Sequence, residues 1–180
     1  MSRIGKMPIE FGSNVKVSLK GGAITVQGPK ATLVKDVHPE ISVVIEGNHI
    51  KLERKDDSNE AKALHGLFRV LINNMVVGVT NGFTKVLEVK GTGYKFELKG
   101  SKIGFSLGFS HPIEMELPKG ISAEINKTNN ELTLTSADKE ALGDFAAKIK
   151  ALRPVEPYKG KGISYKGQVI RRKAGKAAGK

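Results

Sequence analysis

Cysteine is missing from all 180 residues. Without thiols there is no disulfide framework, no thiolate metal site and no cysteine nucleophile, and the composition suits a reducing compartment. Histidine is sparse: His38, His49, His65 and His111 are scattered, none at HxxxH-type spacing, so a metal site has no ligand set. No stretch approaches the roughly 20 apolar residues of a membrane span, and residues 1–6 are followed by no apolar leader. A soluble, cytoplasmic protein with no membrane contact is expected. Nucleotide fingerprints are also missing: there is no GxxxxGK[ST], and Gly91-Thr92-Gly93 precedes a strand pattern rather than a helix. Carboxylates such as Glu114 and Glu116 fall on alternate, solvent-facing strand positions, unlike a general acid and base. No enzyme, cofactor or small-molecule substrate is expected.

Negative charge is what the C-terminal end lacks. The net charge is +12, yet residues 151–180 hold nine Lys and Arg against Glu156 alone, which is eight of the twelve excess charges. Positive charge concentrated at one end of a chain is the footprint of a polyanion binder, most commonly of nucleic acid. An apolar fraction of 39% is enough for ordinary globular cores in the rest.

What is present reads as alternation followed by a helix, twice. Val15, Val17 and Leu19 alternate with polar residues; Gly21-Gly22 turns into Ile24 and Val26; and Leu33-Val34, Ile41–45 and Ile50–Leu52 give further short strands, the last two joined at Gly47-Asn48. From Ser58 to about Val77 the period becomes 3.6. Asp57 with Glu60 resembles a capping box, Leu64, Phe68, Leu71 and Met75 form the inward stripe, and Lys62, His65, Arg69 and Asn73 form an outward one. On that outward face His65 and Arg69 are candidates for a nucleic-acid contact. Alternation resumes through Leu87, Val89, Phe96, Ile103, Phe105, Ile113, Ile121 and Leu134. A second helix follows from about Ala137, with Ser136 as its cap and Ala141, Phe145, Ile149 and Leu152 inward.

The two helices share a register: Gly66, Phe68, Ile72 and Met75 match Gly143, Phe145, Ile149 and Leu152 at a constant offset of 77. The pattern predicts an α+β protein made of two tandem duplicated domains, each a set of short, mostly antiparallel strands packed on one helix. The first spans residues 1–82 with an N-terminal arm, the second 83–152, and 153–180 is a basic nucleic-acid-binding extension.

That extension opens with Pro154-Val155-Glu156-Pro157-Tyr158-Lys159-Gly160-Lys161-Gly162-Ile163-Ser164-Tyr165. Prolines block helix here, glycines let backbone approach a neighbour, and lysines offer compact charge. The stretch reads as chain lying against phosphate, outside any core. Tyr158, Lys159, Gly160, Lys161, Gly162, Tyr165 and Lys166 are its candidate contacts. Gln168-Val169-Ile170 could form a strand, and Arg171, Arg172, Lys173, Lys176 and Lys180 continue the charge in a tail expected to order only on a partner.

Glu156-Pro157-Tyr158-Lys159-Gly160-Lys161-Gly162-Ile163 resembles the signature of the bacterial large-subunit ribosomal protein six family. The likeness extends through Met1-Ser2-Arg3-Ile4-Gly5-Lys6, His65-Gly66-Leu67-Phe68-Arg69, Asn74-Met75-Val76-Val77-Gly78-Val79 and Ser106-Leu107-Gly108-Phe109-Ser110-His111-Pro112. The resemblance implies a structural protein of the large ribosomal subunit that binds large-subunit rRNA near the sarcin-ricin loop and the stalk base. Neighbouring ribosomal proteins and GTPase translation factors would lie close by. It also implies contacts at Gly91, Gly93, Tyr94, Lys95, Ser110 and His111. Ser164 departs from the family pattern, where an arginine commonly precedes the tyrosine. Residues alone leave open a general, DNA-organising nucleic-acid binder.

Overall fold

The computed structural model describes residues 4–175; Lys176 and Lys180 lie outside the described residues. Two compact units are present. The first runs to Phe83 and takes in Ala137–Lys139, and the second comprises Thr84–Ser136 and resumes at Glu140.

In the first unit, strands β1 (Ile9–Glu10), β2 (Lys16–Lys20), β3 (Ala23–Gln27), β4 (Thr32–Asp36), β5 (Ile41–Glu46) and β6 (His49–Arg54) precede helix α1 (Asn59–Thr80). They make two antiparallel three-stranded sheets, β1-β6-β5 and β2-β3-β4, and α1 packs on strands of both. The period of two does what it should: Ile24 and Val26 of β3, and Ile50 and Leu52 of β6, turn one face of each strand into the core. Helix α1 is long and apolar enough by composition to cross a bilayer, contrary to the expectation that no such stretch exists. That apolarity serves the two sheets packed on it.

The helix departs from expectation in its cap and its rotation. Ser58, not Asp57, is the N-cap, its hydroxyl accepting from the Ala61 amide at 3.1 Å. Asp57 is drawn away by Arg54, at 2.6 Å from the guanidinium. The buried face is Ala61, His65, Ile72, Met75, Val76 and Val79, with Leu64 and Phe68 only partly buried beside it. His65 therefore does not face outward. With 3% of its surface exposed, its ring lies inside the unit and its Nε2 meets the Leu52 carbonyl oxygen at 2.9 Å. Arg69 donates to the carbonyls of Met7 and Pro8, holding the N-terminal segment to the helix. At the other end, where α1 has no basic residue in its last turn, Lys30 supplies the cation and donates through Nζ to the Asn81 carbonyl.

The second unit contains β7 (Phe83–Lys90), β8 (Lys95–Lys99), β9 (Lys102–Ser106), β10 (Ile113–Glu116), β11 (Ile121–Ile125), β12 (Glu131–Ser136), α2 (Lys139–Leu152) and β13 (Gly162–Tyr165). Its sheets are β10-β9-β8 and β11-β12-β7-β13. Phe96 and Phe105, opposite each other across β8 and β9, meet edge to face at 5.9 Å. Ser136 closes β12, three residues before the helix starts, and its hydroxyl donates to the Gly120 carbonyl at 2.8 Å. Leu142, Phe145, Ala146 and Ile149 are the buried residues of α2. The repeat is visible in the packing: Ile72 and Ile149, paired by the offset of 77, are both fully buried.

The largest departure is at the C-terminal end. The strand is Gly162–Tyr165, antiparallel to β7 with Ile163 opposite Val89, and Gln168–Ile170 forms none. Ile163 is fully buried and Ser164 nearly so. The extension thus begins inside the second unit's sheet, because alternation of small and apolar residues fits a strand that fills a place beside β7. Ile163→Ala should cost about 2–5 kcal/mol of unfolding free energy in a urea titration. Val169→Ala, at a side chain 91% exposed, should cost under about 0.5 kcal/mol.

Candidate nucleic-acid interface

Strand β13 holds the preceding loop in place. The Ile163 amide donates to the Arg153 carbonyl at 2.8 Å and that of Glu156 to the Lys161 carbonyl at 2.8 Å, so residues 153–163 fold back on themselves. Gly162, with φ of 132°, sits where a Cβ would strike the Pro154 carbonyl at 2.6 Å, which only glycine tolerates. Gly160 is buried as well, with the Arg172 guanidinium against it. The missing side chains of both glycines make room for the protein's own chain, the Pro154 and Arg153 carbonyls at Gly162 and the Arg172 guanidinium at Gly160.

Glu156, the one carboxylate of this region, is turned inward. Its two oxygens accept from the amides of Lys159 at 2.8 Å and Tyr158 at 2.7 Å. The Lys159 amide first, then that of Tyr158 and the charges of Lys159 and Lys161, hold its carboxyl below the usual glutamate range. The loop so tied presents Tyr158, 54% exposed, with Lys159 and Lys161, which have no ion pair among the described residues. Lys173 joins them through its amide, which donates to the Pro157 carbonyl at 2.9 Å, and Arg171 and Arg172 are exposed beside it. Residues 171–175 have no regular structure, but Arg172 and Lys173 touch this loop, at Gly160 and at Pro157.

The fold brings other candidates to the same place. Tyr94 lines a groove of about 340 Å³ with Arg153, Pro154, Glu156 and Lys161. The Arg153 guanidinium lies 5.2 Å from the centre of the Phe109 ring, which faces His111 at 6.3 Å and 29°. Ser110 and His111 are exposed there. Gly91 packs against the Tyr94 ring, Gly93 is an exposed turn residue, and Lys95 is paired with Glu97 at 2.6 Å. A second cluster surrounds Tyr165, whose ring has Lys150 at 4.8 Å and Lys85 at 5.2 Å from its centre. Lys166 lies in that groove with Val86, its ammonium held by both oxygens of Glu131.

Arg153, Lys85 and Lys150 escaped sequence reading because each sits in an apparently solvated position of a separate element. His65 could have been placed correctly. The offset of 77 sets it opposite Leu142, an apolar residue, and both are buried.

The ribosomal protein L6 family model matches residues 11–82 and again 90–166, most of the chain in two copies. The chain belongs to the ribosomal protein L6 family. Its members are structural, non-enzymatic proteins, and the twofold match agrees with the duplicated α+β plan. Among curated relatives, the large ribosomal subunit protein uL6 of Chloroherpeton thalassium is 51% identical over the full length of both chains. That of Carboxydothermus hydrogenoformans is 50% identical over all of this chain and 98% of its own. That of Caldicellulosiruptor saccharolyticus is 49% identical over 98% and 97%.

The geometry of Glu156 makes a prediction opposite to that of charge alone. Removing a carboxylate from a basic surface should by Coulomb attraction strengthen RNA binding, yet Glu156→Ala should weaken it roughly fivefold by loosening the loop. Amide exchange at Tyr158 and Lys159 should rise with it. Because the folded carboxyl is depressed, the loop's stability is present above the unfolded glutamate pKa and lost as pH falls through the folded value. The protection of these amides relative to their intrinsic exchange rates should therefore fall in acid for wild type and not for the variant.

Proposed function

We propose that the protein is a structural constituent of the large ribosomal subunit, in the bacterial cytoplasm, that binds large-subunit rRNA near the factor-binding sarcin-ricin region and stabilises its fold. The observation that carries this reading is the tied loop 156–161, which holds Lys159 and Lys161 unpaired beside Arg171, Arg172 and Lys173. Such cations suit phosphate oxygens, which fix position and supply affinity, while 2′-hydroxyls and shape distinguish folded RNA. Lys85 and Lys150 at Tyr165 add a second place for a phosphate in the same unit. The family relationship supports the ribosomal partner. Neighbouring proteins at the stalk base and passing GTPase factors complete the proposed surroundings.

Within this reading Tyr158, Lys159, Lys161, Arg171, Arg172 and Lys173 are the main contacts, with Tyr165, Lys166, Tyr94 and His111 lesser ones. Arg69 acts by holding the N-terminal segment, through its bonds to Met7 and Pro8.

The test is a chemical footprint of large-subunit rRNA with the full chain and with Lys159→Ala/Lys161→Ala. Wild type should protect the factor-binding region. The double variant should lose that protection and flatten the salt dependence of log K by about 0.7 to 0.9 for each phosphate contact removed. Its folding transition should be unchanged. An unaltered slope would take these lysines away from phosphate, and equal affinity for duplex DNA at the same salt would favour a general polyanion binder.

A further inference from the structure

Tyr94 is seated on two glycines. A Cβ on Gly91 would lie 2.6 Å from its Cδ2, and one on Gly108 would lie 3.1 Å from its Cε1. Opposite edges of the ring thus rest on bare backbone from two separate parts of the chain, and a β-turn bond from the Tyr94 amide to the Gly91 carbonyl fixes the main chain beneath it. A ring held this way has lost its freedom before any ligand arrives, so binding costs little additional order. It lines a groove of about 340 Å³, the lower end of the range for small-ligand sites, together with Arg153, Pro154, Glu156 and Lys161.

The chemistry of the lining is specific. Glu156 turns its two oxygens to the amides of Tyr158 and Lys159 and keeps its negative charge, so Arg153 and Lys161 outweigh it and leave the groove positive. Arg153 is placed over Phe109, and Lys161 projects from the tied loop. One pre-set aromatic ring, one proline and two cations match a base with its attached phosphate. An acidic peptide would use the cations and leave the ring without purpose.

Building on the rRNA reading above, we propose that this groove takes a single unstacked nucleotide of the RNA, its base on the Tyr94 ring and its phosphate at Arg153 and Lys161. Sequence-tolerant stacking of this sort is how single-stranded positions are held on aromatic platforms.

The full chain is titrated with AMP, GMP, CMP and UMP beside ribose 5-phosphate while the Tyr94 ring protons are followed by NMR. Nucleotides should move those protons and ribose 5-phosphate should not. In parallel, rRNA binding is measured for Tyr94→Phe, Tyr94→Leu and Arg153→Gln. Phe should bind as wild type, and Leu should bind roughly five- to 150-fold more weakly, exposing one nucleobase to base-specific reagents. Arg153→Gln, whose side chain is exposed and leaves the glycine seat intact, should lower the salt slope by about 0.7 to 0.9. Wild-type rRNA binding with silent Tyr94 protons and unchanged Leu and Gln variants would overturn the nucleotide groove alone. Loss of rRNA binding by the wild-type chain would overturn the broader reading, whatever the groove does.

Discussion

Four residues of β13 laid against β7 govern everything the C-terminal end can do. The register runs from Gly162 opposite Lys90 to Tyr165 opposite Leu87, and the Lys166 amide continues it to the Val86 carbonyl. Pairing at this edge buries Ile163 completely and sets the two basic clusters at opposite ends of one strand. At the Gly162 end lie the loop 156–161 and the groove of Tyr94; at the Tyr165 end lie Lys85, Lys150 and Lys166. The strand's outer edge is not left open to another chain. Arg153 takes the Ile163 amide, the Gln168 side chain takes that of Tyr165, and Pro154 beside it has no amide to offer.

This anchoring changes the economics of charge. A loose polybasic tail loses backbone and side-chain freedom when phosphate arrests it, and that loss offsets much of the Coulomb gain. Here Glu156 has already arrested the loop, by holding two amides on its two oxygens. A carboxylate among lysines looks like an error in an RNA-binding surface, but its two oxygens are directed at N–H groups and serve to order the loop that carries those lysines. The ammoniums on the far side remain free of ion pairs among the described residues. Lys166 shows the contrasting arrangement: Glu131 accepts from it directly, so its charge is committed within the protein.

Much of this was legible in the residues. Period-two alternation located most strands, the change to 3.6 located both helices, and the offset of 77 exposed the duplication, since each of these follows from local geometry. What stayed hidden depends on tertiary competition. Asp57 and Ser58 are equally good caps in isolation, and Arg54 decided between them by drawing Asp57 away. His65 looked like an outward polar residue because hydropathy alone cannot see the Leu52 carbonyl waiting for its ring nitrogen. Gly160, Lys161, Gly162 and Ile163 read as a phosphate-hugging loop because neither glycine nor isoleucine announces a strand when lysines and prolines flank it. Tyr94 was picked out only by resemblance, and its glycine seat required Gly108 to be brought from another part of the chain.

Spacing follows from the same strand. From Gly162 to Tyr165 is three residue steps, about 10 Å at roughly 3.3 Å each. The loop 156–161 and the cluster at Tyr165 are thereby attached to the two ends of one paired strand, so their cations are carried by an ordered backbone and not by a loose tail. Charge alone would make the protein indifferent among polyanions, since phosphate contacts carry no sequence. Charge mounted on an ordered ribbon favours partners whose shape already matches it, and on the rRNA reading proposed above the β7–β13 pairing is what would add shape to a salt-dependent attraction.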